Sequence, residues 1–183
     1  VVYWAGTAII AIAVLGLCNA SNLIDGLDGL LSGTTAISSI GLLALALGLA
    51  LVDDGPRAAQ RIVLCLAVLG ACLGFLPHNF YPAKIFMGDS GAMLLGLILA
   101  SGSIVATGQL TSGLYDLASG LPTFMPIILP LAVISLPLVD LSLAVVRRTA
   151  AGRSPFSADR GHVHHKLLDF GYSQRQAVVV MYI

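Results

Sequence analysis

A chain of 183 residues with 10% charged and 57% hydrophobic side chains cannot coat a water-soluble domain, which carries roughly a quarter charged residues. Its mean hydropathy of +0.95 points to a bilayer as the solvent, and its net charge of zero argues against nucleic acid as a partner. All nine acids are Asp. Cys18, Cys65 and Cys72 lie in apolar runs with no CxxC spacing and no neighbouring His, so neither a disulfide nor a zinc site is expected.

Apolar runs long enough to cross hydrocarbon, which takes about 20 helical residues, fall at residues 1–18, 31–52, 61–77, 91–108 and 122–146. A sixth begins near 174. The predicted fold is therefore all-α: a polytopic transmembrane helical bundle with about five complete spans and a truncated sixth. Both ends of the chain lie within apolar runs, so residues 1–183 are read as a single membrane-embedded catalytic domain cut from a longer protein. Pro126, Pro130 and Pro137 sit inside the fifth run, where neighbouring helices can satisfy the freed backbone groups. Gly70 and Gly74 give a small-xxx-small face, a weak signal for close helix approach.

Lys and Arg set the orientation. Alternating loops place Lys84, Arg147, Arg148, Arg153, Arg160, Lys166 and Arg175 on one side, against Arg57 and Arg61 on the other. The positive-inside rule assigns the first side to the cytoplasm. Asn19, Asn22, Asn79, Asp25, Asp28, Asp89 and all four His fall on it as well, whereas Asp53, Asp54 and Asp116 fall on the outer side among Gly, Ser and Thr. A polar cluster on one face of a membrane protein is a functional-site hypothesis.

Three loops on that face carry the chemistry. The first, NASNLIDGLDGL at 19–30, spaces Asn19 and Asn22 three apart, and Asp25 and Asp28 three apart, so each pair shares a face of a helical turn. Hard oxygen donors with intervening glycines suit Mg²⁺, Mn²⁺ or Ca²⁺. Helix capping is the bland alternative, but two Asn and two Asp exceed what a cap requires. The spacing does not fit an EF-hand. The second, PHNFYPAKIFMGDSGAM at 77–93, puts Asp89 just ahead of a helix, where amides and the helix dipole favour phosphate. Lys84 adds a cation, Asn79 an amide able to read a base edge, and Phe86 a stacking surface. Its Gly-Asp-Ser-Gly also surrounds serine-protease nucleophiles, but a membrane-helix mouth is the wrong context. The third, at 147–171, gathers His162, His164 and His165 among Arg160 and Lys166. So many cations disfavour zinc and fit an anionic diphosphate; a positive-inside anchor explains Arg147, Arg148 and Arg153 well but the closely spaced His162, His164 and His165 poorly. Asp140, inside the fifth span, is expected to face the bundle interior and be structural.

Taken together, the blocks NASNLIDGLDGL, NFYPAKIFMGDSG and DRGHVHHKLLDFGYSQRQA resemble the polyprenyl-phosphate N-acetylhexosamine-1-phosphate transferase family, and the likeness covers essentially the whole chain. His162-Val163-His164-His165-Lys166 and Lys84 are similar to the WecA-like GlcNAc-type branch rather than the MraY branch, and the stretch VVRRTAAGRSPFSADRGHVHHKLL looks like actinobacterial members. The resemblance implies transfer of an N-acetylhexosamine 1-phosphate, GlcNAc in the first instance, from its UDP-sugar to polyprenyl phosphate at the cell membrane, with the site facing the cytoplasm. It further implies Mg²⁺ (or Mn²⁺) on Asp89 with Asn22, and Asp25 and Asp28 as a catalytic acidic pair. Asn19 joins the substrate-binding set, with Asn79 and Phe86 at the uracil and Arg160, His162, His164 and His165 at the diphosphate or sugar. A homodimer is part of the same likeness. The family's Asp-Asp motif for the lipid phosphate is expected upstream of Val1, since Asp53-Asp54 lies on the wrong side. An ion-coupled transporter, with acids near mid-membrane, and a non-catalytic scaffold are the competing readings.

Overall fold

The computed structural model describes residues 2–51, 56–107, 139, 141–152, 154 and 163–182. Among them there are helices and turns and no strand, as an apolar solvent requires when backbone groups must find partners within their own segment. Four long helices come first: α1 (Val2–Ile24), α2 (Leu30–Ala50), α3 (Pro56–Asn79) and α4 (Gly88–Thr107). Residues 141–150 are also helical. Two short helices follow, α5 (Val163–Asp169) and α6 (Gln174–Met181).

Four stretches, Trp4–Ile24, Leu30–Gly48, Ala58–Asn79 and Gly88–Val105, are long and apolar enough to cross a bilayer. The chain is thus a polytopic helical membrane protein, and its first four expected spans stand. Their bounds shift where polar residues can live inside a helix. α1 runs on through Asn19 and Asn22, which the sequence placed in a loop. Asn19 keeps its amide busy by donating to the Leu15 carbonyl one turn back (3.2 Å), and Ala20 and Ser21 are buried. α3 carries Pro77 close to its end, where the ring costs little further helix, and opens on Pro56, a residue pre-set for the first helical turn. The fifth span lies largely outside the described residues, as do Asp140, Asp53 and Asp54. A short helix begins where the sixth run was expected: Ser173 caps α6, and its backbone N–H is accepted by the Gln176 side chain (2.9 Å) in a reciprocal capping box.

Packing pairs α1 with α4 and α2 with α3, while α4 also touches α2. The outward faces carry Trp4, Ile9, Ile12, Val63 and Leu94, the surface a lipid-facing helix presents. Inside, Leu17, Leu42, Leu99 and Ala100 form one cluster, and Ala36, Val68 and Cys72 another. The largest lies at the polar end, where Ile24, Leu27, Leu30, Leu31, Ala92, Ala177 and Val178 join α1, α2, α4 and α6. The three cysteines are free thiols.

The crossing of α1 and α4 depends on Gly96. A Cβ there would stand 2.8 Å from the Cys18 Cα, 2.8 Å from the Ser21 Oγ and 2.9 Å from the Leu17 carbonyl oxygen. Two of those three atoms are backbone, so a methyl forces the helices apart. Gly96→Ala is expected to cost about 1–3 kcal/mol and to lower the thermal midpoint of the detergent-solubilised protein. An unchanged midpoint would mean the helices do not approach this closely.

Candidate active site

The polar residues gather where α1 ends, α2 and α4 begin, and α3 ends. Gly29 makes the turn between α1 and α2 possible: its φ of +82° is costly for any residue with a Cβ. Gly29 is buried, and a Cβ on it would lie 2.9 Å from the Phe80 ring. It shapes the loop rather than lining it, while Gly26 is exposed.

Asn22, on the last turn of α1, donates from Nδ2 to Asp89 Oδ1 at 3.1 Å. Asp89 sits in the first turn of α4, where the helix dipole favours a negative charge, and it is exposed. Sixty-seven positions separate the pair, and the α1–α4 packing brings them together. Asp25 follows directly on α1. Burial, and then the charges of Asp89 and Asp28, push its carboxyl up to about 6. Asp25 therefore feels both of the other carboxylates at this end of the bundle. Asp28 is tied down: its Oδ2 accepts the Ala83 N–H at 3.0 Å.

The loop of residues 80–87 supplies the facing wall. Lys84 and Phe86 are exposed, Phe86 to 74%, so both are open to a ligand. Asn79 differs from expectation. Its side chain is buried, with Oδ1 accepting from the Gly29 N–H (3.1 Å) and the Ser32 hydroxyl (3.0 Å), and Nδ2 donating to the Ile85 carbonyl (3.0 Å). Rather than facing outward to read a base, this amide fastens α3, the turn at Gly29 and the second loop together.

Of the third-loop residues, Arg160 and His162 lie outside the described residues. His164 and His165 belong to α5, with side chains outside the described set. Among the described residues no three His, Cys, Asp or Glu are grouped to hold a metal ion. That still fits Mg²⁺, which is commonly held by one or two carboxylates and keeps its waters for substrate phosphates. Asp89 offers such a carboxylate, and the Asn22 amide beside it an oxygen. The transporter reading asked for acids near mid-membrane. Among the described residues the one acid in α1 to α4 is Asp89, at a helix end.

Two contacts escaped the sequence reading. Tyr182, just past α6, donates its hydroxyl to the Gly29 carbonyl at 2.6 Å. Arg175 donates from Nε to the Tyr81 carbonyl at 3.0 Å and lies 5.9 Å from the centre of the Tyr81 ring. Arg175 looked like one more inside cation, and no local pattern marked Tyr182 for a bond to so distant a glycine.

Known proteins share much of this chain. Residues 1–107 match the family described as glycosyl transferase family 4. The decaprenyl-phosphate N-acetylglucosaminephosphotransferase of Mycobacterium tuberculosis is 46% identical over 175 residues, covering 92% of this chain and 42% of the relative. A probable undecaprenyl-phosphate N-acetylglucosaminyl 1-phosphate transferase of Bacillus subtilis is 37% identical over 183 residues (98% and 45%). The undecaprenyl-phosphate alpha-N-acetylglucosaminyl 1-phosphate transferase of Escherichia coli is 32% identical over 173 (92% and 42%). The chain thus spans less than half the length of these curated relatives.

Proposed function

This chain belongs to glycosyl transferase family 4, and we propose that its polar end forms the active site of a membrane enzyme that moves N-acetylglucosamine 1-phosphate from its UDP-sugar to a polyprenyl phosphate, releasing UMP. The relatives' names support the group transferred and its polyprenyl-phosphate acceptor; the UDP-sugar donor and the release of UMP are part of the proposal. The observation that carries it to this chain is the meeting of Asn22 and Asp89 beside Asp25 and Asp28 at one end of the bundle. By the distribution of Lys and Arg, that end faces the cytoplasm, where a soluble nucleotide sugar and an embedded lipid can meet.

In this reaction a lipid phosphate oxygen forms a bond to the β-phosphorus as the bond from that phosphorus to the UMP oxygen breaks. Both reactants are anions, so the site must neutralise charge and hold the pair in line. Asp89 and Asn22 would hold Mg²⁺, or Mn²⁺ in its place, which would supply positive charge to offset that of the diphosphate. Lys84 adds a cation and Phe86 a face for the uracil. Arg160, His162, His164 and His165 complete the anion-binding side in this reading, and Asn19, exposed on α1, borders it. Asp25 is the proton acceptor: a carboxyl near 6 matches the second ionisation of a phosphate monoester, also about 6, so a proton passes between them at little cost. Asp28, committed to Ala83, holds the loop around it.

The test is UMP release by the full-length protein in detergent with polyprenyl phosphate, UDP-GlcNAc and Mg²⁺, followed against pH. Release should need both lipid and metal, and its rate should climb with pH as Asp25 loses its proton, below the value of about 6 that the metal-free site gives it. Raising Mg²⁺ should move that limb to lower pH, since a nearby cation favours the carboxylate. Release with a different UDP-sugar would keep the chemistry and change the substrate; no release with any UDP-sugar would sink the reading.

A further inference from the structure

We infer that Tyr182 and Arg175 are positioning residues for this transfer, closing a ring of contacts that locks the Asp25–Asp28 loop against the loop leading to Asp89. The inference rests on the transferase reading of that site. The ring can be followed around. Arg175 of α6 holds the Tyr81 carbonyl. Two residues on, the Ala83 N–H holds Asp28. The next residue after Asp28, Gly29, presents its carbonyl to Tyr182 at the far end of α6. Helix α6 thus acts as a rigid spacer between two anchor points, one on each loop. It is itself fixed by Ala177 and Val178, which are fully buried against Ile24, Leu27, Leu30 and Leu31.

Two details indicate that the seat of Tyr182 is shaped for it. Gly29 is held at both of its polar groups: its N–H donates to Asn79, and its carbonyl accepts from Tyr182 in addition to the Gly33 N–H (3.0 Å) and the Ser32 hydroxyl (3.2 Å), so Tyr182 adds a bond that ties this turn to α6. The Tyr182 ring end also lies in the notch left by Gly33, where a Cβ would overlap its hydroxyl. Neither Tyr182 nor Arg175 bonds to the carboxylates. Their effect on the reaction passes through the loops they hold.

Tyr182→Phe in the full-length protein tests this, because it removes one oxygen and keeps the ring. The hydroxyl contributes about one hydrogen bond of loop order, so kcat should fall about fivefold to tenfold while KM for UDP-GlcNAc changes less than about twofold. Hydrogen exchange at the Gly29 and Ala83 amides should quicken, with exchange in α1 to α4 unaltered. Arg175→Lys should give the same split, and the double variant should lose less than the product of the two, since either break opens the same ring. An unchanged kcat, or a fall matched by loss of folded protein in exchange across α1 to α4, would overturn the proposal. If the wild type releases no UMP, the transferase reading fails by itself. Faster exchange in Tyr182→Phe would then still show the ring, and unaltered exchange would remove it too.

Discussion

Replacing Asp89 with Asn in the full-length protein is expected to lower UMP release by about a thousandfold at saturating substrates, with the thermal midpoint held within a few degrees. The substitution keeps the shape of the side chain and an oxygen for the Asn22 amide to meet, so little packing is lost at an exposed helix end. What disappears is the charge that, in the proposed reading, would hold the metal. The same substitution also moves the pH profile in a definite direction. Asp89 pushes Asp25 up in the absence of metal, but in this reading it also holds the cation. Losing that cation outweighs losing one carboxylate, so the residual activity should show its acid limb at higher pH than the wild type does in Mg²⁺. Activity within about tenfold of wild type would place the metal elsewhere. A limb that does not move would mean Asp25 does not govern it.

Asn79→Leu should be nearly as damaging, by a different route. Leu matches Asn in size but leaves the Gly29 N–H and the Ile85 carbonyl without their partner, each worth about 1–3 kcal/mol when orphaned; Ser32 retains the Gly29 carbonyl as an acceptor at 3.2 Å. A loss of about 2–5 kcal/mol is expected, seen as a lower thermal midpoint with kcat reduced alongside it. Asn79→Asp should also fail at neutral pH, since it sets a second acceptor against the Ile85 carbonyl. Were this amide instead reading the uracil, Asn79→Leu would raise KM for the UDP-sugar and leave the midpoint alone. The two outcomes do not overlap.

That contrast shows what the sequence could and could not disclose. Solvent is written in composition, so the first four spans were legible to within a few residues, and α1 outran its expected end only because Asn19 can satisfy itself on its own helix. The grouping of Asp25, Asp28, Asp89 and Asn22 was also legible, because topology alone brings loops at alternate helix ends to one side of a membrane. Whether a polar residue faces the site or the scaffold was not. Asn79 and Gly29 have the residue types of a binding loop, and only the packing of α3 against α2 turns them inward. Tyr182 was legible still less, since a lone Tyr in an apolar run gives no sign of a bond to a glycine carbonyl 153 positions away.

That separation bears on how the protein is made. The four membrane-crossing helices can enter the bilayer one after another during synthesis, each complete in its own backbone bonding. Gly29, however, waits for Tyr182, and at about 5–20 residues per second the delay is roughly 8 to 30 s. Within that interval the newborn chain adds Asp89 to the Asp25 and Asp28 already made, while the Gly29 turn still lacks its bond to Tyr182. In the proposed reading, the polar end would reach its final set of contacts late in biogenesis, on the arrival of α6 rather than on insertion of α1 to α4.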